Sequence, residues 1–500
     1  MPRLTAIVFA AVACSGIAQA HIGSPDIYLD GKAGPYQLFV TIRPPVVIPG
    51  VAEIEVRAST GGVAAIHAVP LPMSGPGAKF APVPDSLTRS REDAQLFTGS
   101  LWMMAPGSWQ VRISVDGLQG RGVLSVPVPS AALATKRMQL GLGAILCVLG
   151  VFLVGGVVAM AGASVRESRL DPGVVPSARQ VRAGRVAMGV AFLLVAGAIG
   201  IGNSWWDSKA RSYAEEVYKP LRMGASLSKT GVLTLKLEDP GWLNERGWRS
   251  LFSRTVDDFI PDHGHLMHLY AIREPGLDVV YHLHPELTAP GVFQLSLPSM
   301  PAGKYQLYAD VVHANGFPET LVSLLNLPSG VTGRALAGDD AAGSSTAARP
   351  AGDTSSTFTL PDGYRMIWLL PPGGLRAREP VLFRFRLEKP DGTVPPDMAF
   401  YMGMLGHAAF VKTDGTVFAH VHPTGSVSMA ALTLAEKQNP AFTNTEGMDM
   451  AGMTMPEASA SLPNEVSFPY GFPVTGRYRI FVQMKHGATV ETGVFDATVR

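Results

Sequence analysis

Two stretches of this chain are versions of one another, and that duplication constrains the fold more than any other feature. PDHGHLMHLYAIREPGLDVVYHLHP (Pro261 to Pro285) carries five of the twelve histidines, and YMGMLGHAAFVKTDGTVFAHVHP (Tyr401 to Pro423) reads as its rewritten copy. His263-Gly264-His265-Leu266-Met267-His268 falls on Met402-Gly403-Met404-Leu405-Gly406-His407. His282-Leu283-His284-Pro285 falls on His420-Val421-His422-Pro423, after one deletion in the intervening turn. Farther on, GKYQLYADVVH, ending at His313, matches GRYRIFVQMKH, ending at His486. The copies extend over roughly Val232–Leu327 and Val381–Val499 and predict two homologous modules.

Each copy is built from short runs rich in β-branched and aromatic residues, separated by turn signals. VLTLKLED, VFQLSLP and YQLYADVV in the first answer to VLFRFRLEKPDG, YRIFVQMKH and VFDATVR in the second. Residues 21–130 have the same texture, with YQLFVTIRP, AEIEVRAS, SWQVRISVDG and GVLSVPVP. The expected class is mainly β: immunoglobulin-like β-sandwich modules together with two transmembrane helices.

Three apolar runs, at 4–20, 138–163 and 186–202, set the membrane plan. The first ends in Ala18-Gln19-Ala20, the form of a signal peptide (residues 1–20) whose cleavage leaves His21 first. A lipoprotein signal acylated at Cys14 is the rival, weakened by alanine three positions before that cysteine. The other two runs predict membrane helices at 138–163 and 186–202, the second ending in the interfacial pair Trp205-Trp206. The loop 164–185 carries Arg166, Arg169, Arg179, Arg182 and Arg185 and is expected in the cytoplasm. Both terminal portions then lie in the periplasm, on an inner-membrane anchor. No charged residue or histidine interrupts the apolar runs, so they read as an anchor and not an ion path. The remaining divisions are a module at 212–330, a flexible linker at 331–357 that is Gly/Ala/Ser-rich, and a module at 358–500.

With a net charge of +1 and 16% charged residues, the chain has no basic field for nucleic acid. The only cysteines are Cys14 and Cys147, one in the signal and one in an apolar run, which excludes thiolate metal sites in the exported parts. Soft ligands there must be methionines.

Histidines two apart on a strand project from one face. His282 with His284 and His420 with His422 would each aim two imidazoles one way, and the same is expected of His263 with His265 and Met402 with Met404. His268 and His407 are expected across each hairpin. A surface cluster of unrelated histidines is the bland alternative; recurrence of the frame, with replacement by methionine alone, favours metal. Imidazole and thioether together point to copper before zinc, since thioether selects Cu(I) and imidazole serves Cu(I) and Cu(II). His263, His265, His268, His282 and His284 are expected to form a nitrogen-rich site. Met402, Met404, His407, His420 and His422 are expected to form a mixed site, fed by Met448, Met450, Met453 and Met455 in EGMDMAGMTMPE. His313 and His486 are either ligands or core-edge histidines. A mature chain starting at His21 offers an amine and an imidazole from one residue, with His67 as the only second histidine in its module.

The His-first start before a β-rich module resembles CopC-type periplasmic copper-binding proteins. The twin GHLMHL…HLHP and MGMLGH…HVHP segments resemble YtkA-like exported copper-handling modules. The resemblance implies His21 as a ligand, with His67 beside it; the acidic ligand of that pattern has no counterpart here. Some CopC-type chains are fused to a multi-helix permease, whereas this one has two helices, so transport is not implied. The expectation is a membrane-anchored periplasmic copper protein for tolerance, storage or delivery, partnered by another periplasmic copper protein. Two alternatives stay open: a copper oxidase with an N-terminal histidine brace, and a β-sandwich interaction module without metal. No G-x-S-x-G, P-loop or H-E-x-x-H pattern is present.

Overall fold

The computed structural model describes residues 21–23, 25–74, 80–171, 173–242, 254–331, 333–336, 338–345, 355–438 and 461–500. The signal segment with Cys14, and Met448, Met450, Met453 and Met455, lie outside the described residues. The chain is mainly β, with two long apolar helices. It divides into two units, Ala131–Tyr218 and the remainder.

The smaller unit holds α1 (Leu140–Glu167) and α2 (Ala178–Glu215), both long and apolar enough to cross a membrane. Leu140, Phe152, Leu193 and Leu194 are among their exposed side chains, an apolar surface that lipid could cover. Ser177 caps α2 in a reciprocal capping box with Gln180. The helices touch at glycines: a Cβ on Gly184 would stand 3.0 Å from the Gly162 carbonyl oxygen, and one on Gly162 would meet the Met188 side chain. Both helices outrun the apolar stretches that announced them. α2 takes in Arg179, Arg182 and Arg185 and continues beyond Trp206, so much of the expected 164–185 loop is helical. Straight-chain and small residues there carry no helix-breaking signal.

In the larger unit, the N-terminal module contains β1 (His21–Ile22), β2 (Ile27–Ala33), β3 (Tyr36–Arg43), β4 (Gly50–Ala58), β5 (Val63–Pro72), β6 (Asp85–Ser86), β7 (Thr88–Arg89), β8 (Leu96–Met103), β9 (Gly107–Gly117) and β10 (Gly120–Ser130). Two antiparallel sheets form, ordered β2-β3-β4-β8-β7 and β10-β9-β5-β6. β1 leaves them and pairs in parallel with the last module.

The middle module contains β11 (Arg222–Leu227), β12 (Val232–Glu238), β13 (His268–Glu274), β14 (Val279–Leu283), β15 (Glu286–Ala289), β16 (Val292–Ser296), β17 (Gly303–Val312), β18 (Pro318–Leu327) and β19 (Ala341–Ser344). The last module has β20 (Thr357–Thr359), β21 (Arg365–Leu369), β22 (Val381–Glu388), β23 (Met398–Ala399), β24 (His407–Lys412), β25 (Val417–Val421), α3 (Met429–Lys437), β26 (Glu465–Tyr470), β27 (Gly476–His486) and β28 (Thr489–Val499). Each is a sandwich. Sheet β11-β12-β16-β15 covers β18-β17-β13-β14-β19, and sheet β20-β21-β22-β26 covers β1-β25-β24-β27-β23, with β28 on β27. Alternation builds the cores: Leu233, Leu235 and Leu237 of β12 point inward, as do Phe383, Phe385 and Leu387 of β22.

The inner sheets of the two sandwiches pack against each other. Leu269 and Ala271 of β13 join their own core, while Tyr270 and Ile272 join a second cluster with Ala409, Val411 and Phe418 of the last module. Tyr308 and Phe418 stack across this junction at 4.1 Å. Arg479, paired with Asp496, donates from Nη1 to the carbonyl oxygens of Gly276 and Leu277. Burial on both faces is why HLYAIRE and VVYHL read as near-continuous apolar runs instead of alternating ones.

The expected 331–357 linker is partly structured: β19 extends the inner sheet by pairing with β14. Small residues in AGDDAAGSS are compatible with coil, but an open sheet edge supplies backbone partners that composition does not reveal.

Candidate metal centre

The histidines of both modules meet at one end of this inter-sheet junction. Register places Tyr270 opposite His282 and Ala409 opposite His420, so His268 comes beside His284 and His407 beside His422. The paired rings converge as expected: His282 and His284 are 4.8 Å apart and His420 and His422 are 4.6 Å apart.

His263 and His265 do not share a strand face. Asp262 and His265 exchange both backbone hydrogen bonds around His263 (φ +50°) and Gly264 (φ +85°), a type I′ turn. The copy repeats it, with Tyr401 and Met404 closing around Met402 (φ +49°) and Gly403 (φ +77°). Sequence alternation concealed the turn because a left-handed His-Gly pair resembles one period of a strand. The turn carries His263 to the other module, 5.2 Å from the His407 ring and 4.8 Å from His422.

Two trios result, His263/His407/His422 and His268/His282/His284, each with ligand atoms all within 4.8 Å of one another. Most rings are held at one nitrogen and left open at the other. His268 Nε2 lies 2.9 Å from the Asp262 carbonyl oxygen, His282 Nδ1 3.0 Å from Gln483 Oε1, and His284 Nδ1 3.3 Å from Asp340 Oδ1. His420 Nδ1 meets Asp310 Oδ2 at 3.2 Å, and His422 Nδ1 meets the Val427 carbonyl oxygen at 3.1 Å. The buried Nε2 atoms of His263, His284, His420 and His422, and both ring nitrogens of His407, have no hydrogen-bond partner among the described residues. These second partners fix tautomer and ring orientation, as the outer shell of a metal site does.

His268 Nδ1 and His282 Nε2 face each other at 3.2 Å. The Asp262 carbonyl takes the His268 proton; with the His282 proton on Nδ1, toward Gln483 Oε1 and beside the Tyr401 hydroxyl at 3.2 Å, both facing atoms would present lone pairs. Two nitrogens about 2.0 Å from one tetrahedral ion stand about 3.3 Å apart, so this spacing suits two donors on one ion.

Burial, reinforced by neighbouring imidazoles, pushes the basicity of His268, His282, His407 and His420 well below the ordinary histidine value, and burial takes His263 down to about 4. The rings are neutral at pH 7, ready to bind without losing a proton. Burial drives Asp310 up to about 7. A cavity of about 430 Å³ reaches the trio at His263 and is lined also by Asp262, Gly264, Met404, Met429 and Lys437.

The histidines expected at one site per module lie together across the junction, and make a shared candidate centre: His263 of the middle module groups with His407 and His422 of the last, while His268, His282 and His284 form the other trio. Met402 is buried in a cluster with Ala341 and Tyr401, and Met404 lines the cavity. His265 stacks on His284 at 4.0 Å, with Nε2 3.2 Å from Asp339 Oδ2. Asp339 and Asp340, missed in the sequence, come from the segment expected to be linker.

His313 has a carboxylate at each ring nitrogen, Asp258 at 2.6 Å from Nδ1 and Glu319 at 3.1 Å from Nε2, and is in none of the metal-compatible groups among the described residues. His486 lies apart from the shared centre, in a group with Asp362 and Glu491. His67 bonds Ser86 at 3.0 Å and belongs to none of the metal-compatible groups among the described residues. The backbone of His21 pairs with Val417 in the last module, whereas His67 lies on β5 of the N-terminal module, so the expected partnership gains no support from their strands.

A family model described as a domain of unknown function (DUF8832) matches residues 250–323 and 358–500, the two modules that share the centre. No curated protein matches the chain. Similar solved structures include a tetra-tandem repeat in the extending region of a large adhesion protein, at 8% identity and TM-score 0.16, covering 93% of this chain and 74% of that one. Another is a putative membrane anchored protein from Corynebacterium diphtheriae, at 9% identity and TM-score 0.14, covering 95% and 94%. At these scores neither bears on function.

Proposed function

We propose that this chain is a membrane-anchored copper-binding protein that holds its metal between two β-sandwich modules, for copper tolerance, storage or delivery. The proposed setting is the periplasmic side of an inner membrane, with α1 and α2 as the anchor and another periplasmic copper protein as partner. The carrying observation is the set of buried imidazoles that leave Nε2 of His263, His284, His420 and His422 and both nitrogens of His407 unpartnered among the described residues, with His268 Nδ1 and His282 Nε2 facing each other at 3.2 Å. Leaving such atoms without a partner costs about 1–3 kcal/mol each, a cost that an ion removes. An all-imidazole set accepts Cu(I), Cu(II) and zinc. Buried rings in a thiol-free exported region, beside a cavity lined by Met404 and Met429, favour copper and its cuprous form.

The test is competitive loading of the full detergent-solubilised chain with Cu(I), Cu(II) and Zn(II). Copper retained against a chelator that strips zinc supports the proposal; binding of none of the three refutes it. A copper oxidase is the second reading, favoured by the cavity, which gives a small reductant a path to His263. Oxygen uptake that depends on bound copper and saturates with a reducing substrate would establish it.

A further inference from the structure

We infer that the centre holds two ions side by side, one on His263, His407 and His422 and the other on His268, His282 and His284. The inference rests on the copper reading above and adds the number and neighbourhood of the ions. Neither trio is completed by the other. Each has three ligand atoms within 4.8 Å, a set that closes onto one ion with small ring movements. A single copper or zinc ion takes about four protein donors, so one ion cannot use both trios. If only one ion bound, the other trio would keep buried nitrogens without partners among the described residues: both of His407 with Nε2 of His263 and His422 in one case, Nε2 of His284 in the other.

The trios are neighbours. The His282 ring is 6.0 Å from His407, and His263 is 6.1 Å from His268. His420 stands between them, 5.5 Å from His268, 5.5 Å from His282 and 5.5 Å from His407, with its Nε2 buried and unpartnered among the described residues. Three donors leave each ion a further coordination position, and His420 is placed to supply it to either. The trios differ in origin. One draws all three rings from the middle module, while the other needs both modules and borders the cavity through His263.

The experiment loads the full chain in detergent with Cu(I) without oxygen, removes loose metal with a competing chelator, and counts copper per chain. The expected result is two coppers in the wild type and one in either His284→Ala or His422→Ala. After oxidation, two adjacent cupric ions couple through space, so the wild-type paramagnetic resonance spectrum should show dipolar broadening and a half-field transition. Either single variant should lack both. One copper per chain in the wild type overturns the two-ion inference and leaves the copper reading intact; no copper at all overturns both. Two coppers without dipolar broadening or a half-field transition place the ions apart and also overturn it. The wild-type count and spin measurement need no variant, so a variant that fails to fold leaves the test in force.

Discussion

At the scale of single residues, the centre depends as much on what stands behind the rings as on the rings themselves. Asp340 holds the Nδ1 side of His284 and is itself tied to Arg334. Asp340→Ala should weaken copper binding about 10–100-fold while leaving the fold in place, measurable by chelator competition. An unchanged affinity would make the contact ornamental. The same rings set a pH dependence in the metal-free protein. His263 titrates near 4 when folded and near 6.5 when unfolded, and His268, His282, His407 and His420 shift in the same direction. Below about pH 6.5 the unfolded chain takes up protons first, so stability falls as pH drops toward 4 and is fully present above 6.5. Asp310, raised to about 7, opposes this, because its proton stabilises the folded form only as pH falls. The histidines outnumber it. Thermal midpoints in a metal chelator should therefore be lower at pH 5 than at pH 7.5, and a flat profile would mean the rings are not buried in solution.

Among the elements, the two inner sheets and their hairpins determine where the rings go. Phe418 stacks on Tyr308 in the junction, so Phe418→Ala should cost about 3–5 kcal/mol and loosen the two modules together, read as a lowered unfolding midpoint. Gly425→Ala is the backbone counterpart. Its Cβ would stand 1.9 Å from the Tyr28 carbonyl oxygen, at a φ of +140°, in the strap that joins β2 to the last module. A loss of about 2 kcal/mol or more is expected there. The strands and the convergence of each HxH pair were legible, because alternation fixes which side chains share a face. Three things were not. A left-handed turn at His263-Gly264 looks like strand periodicity until its φ angles are known. β19 is short, small-residued and stabilised by an edge it finds only in three dimensions, so Asp339 and Asp340 stayed hidden. Nor does a repeat declare whether its copies face one another: Tyr270 and Phe418 could equally have pointed at solvent partners, and the near-continuous apolar character of β13 and β14 was the only hint of a second covered face.

For the whole molecule, the proposed orientation places both termini on one side of the membrane and the α1–α2 connection on the other. In a Cys147→Ser background, an impermeant thiol reagent added to intact cells should modify Lys229→Cys and spare Ser168→Cys; labelling at 168 would reverse the topology. Histidines from two modules, far apart in sequence, are proposed to serve one metal centre, which can be checked by copper content across a double-mutant set of His263 and His407. His263→Ala and His407→Ala should remove the same ion, so the double variant keeps as much copper as either single. If the two losses add, and the double variant holds less than each single, each module binds its own metal and the shared centre is wrong.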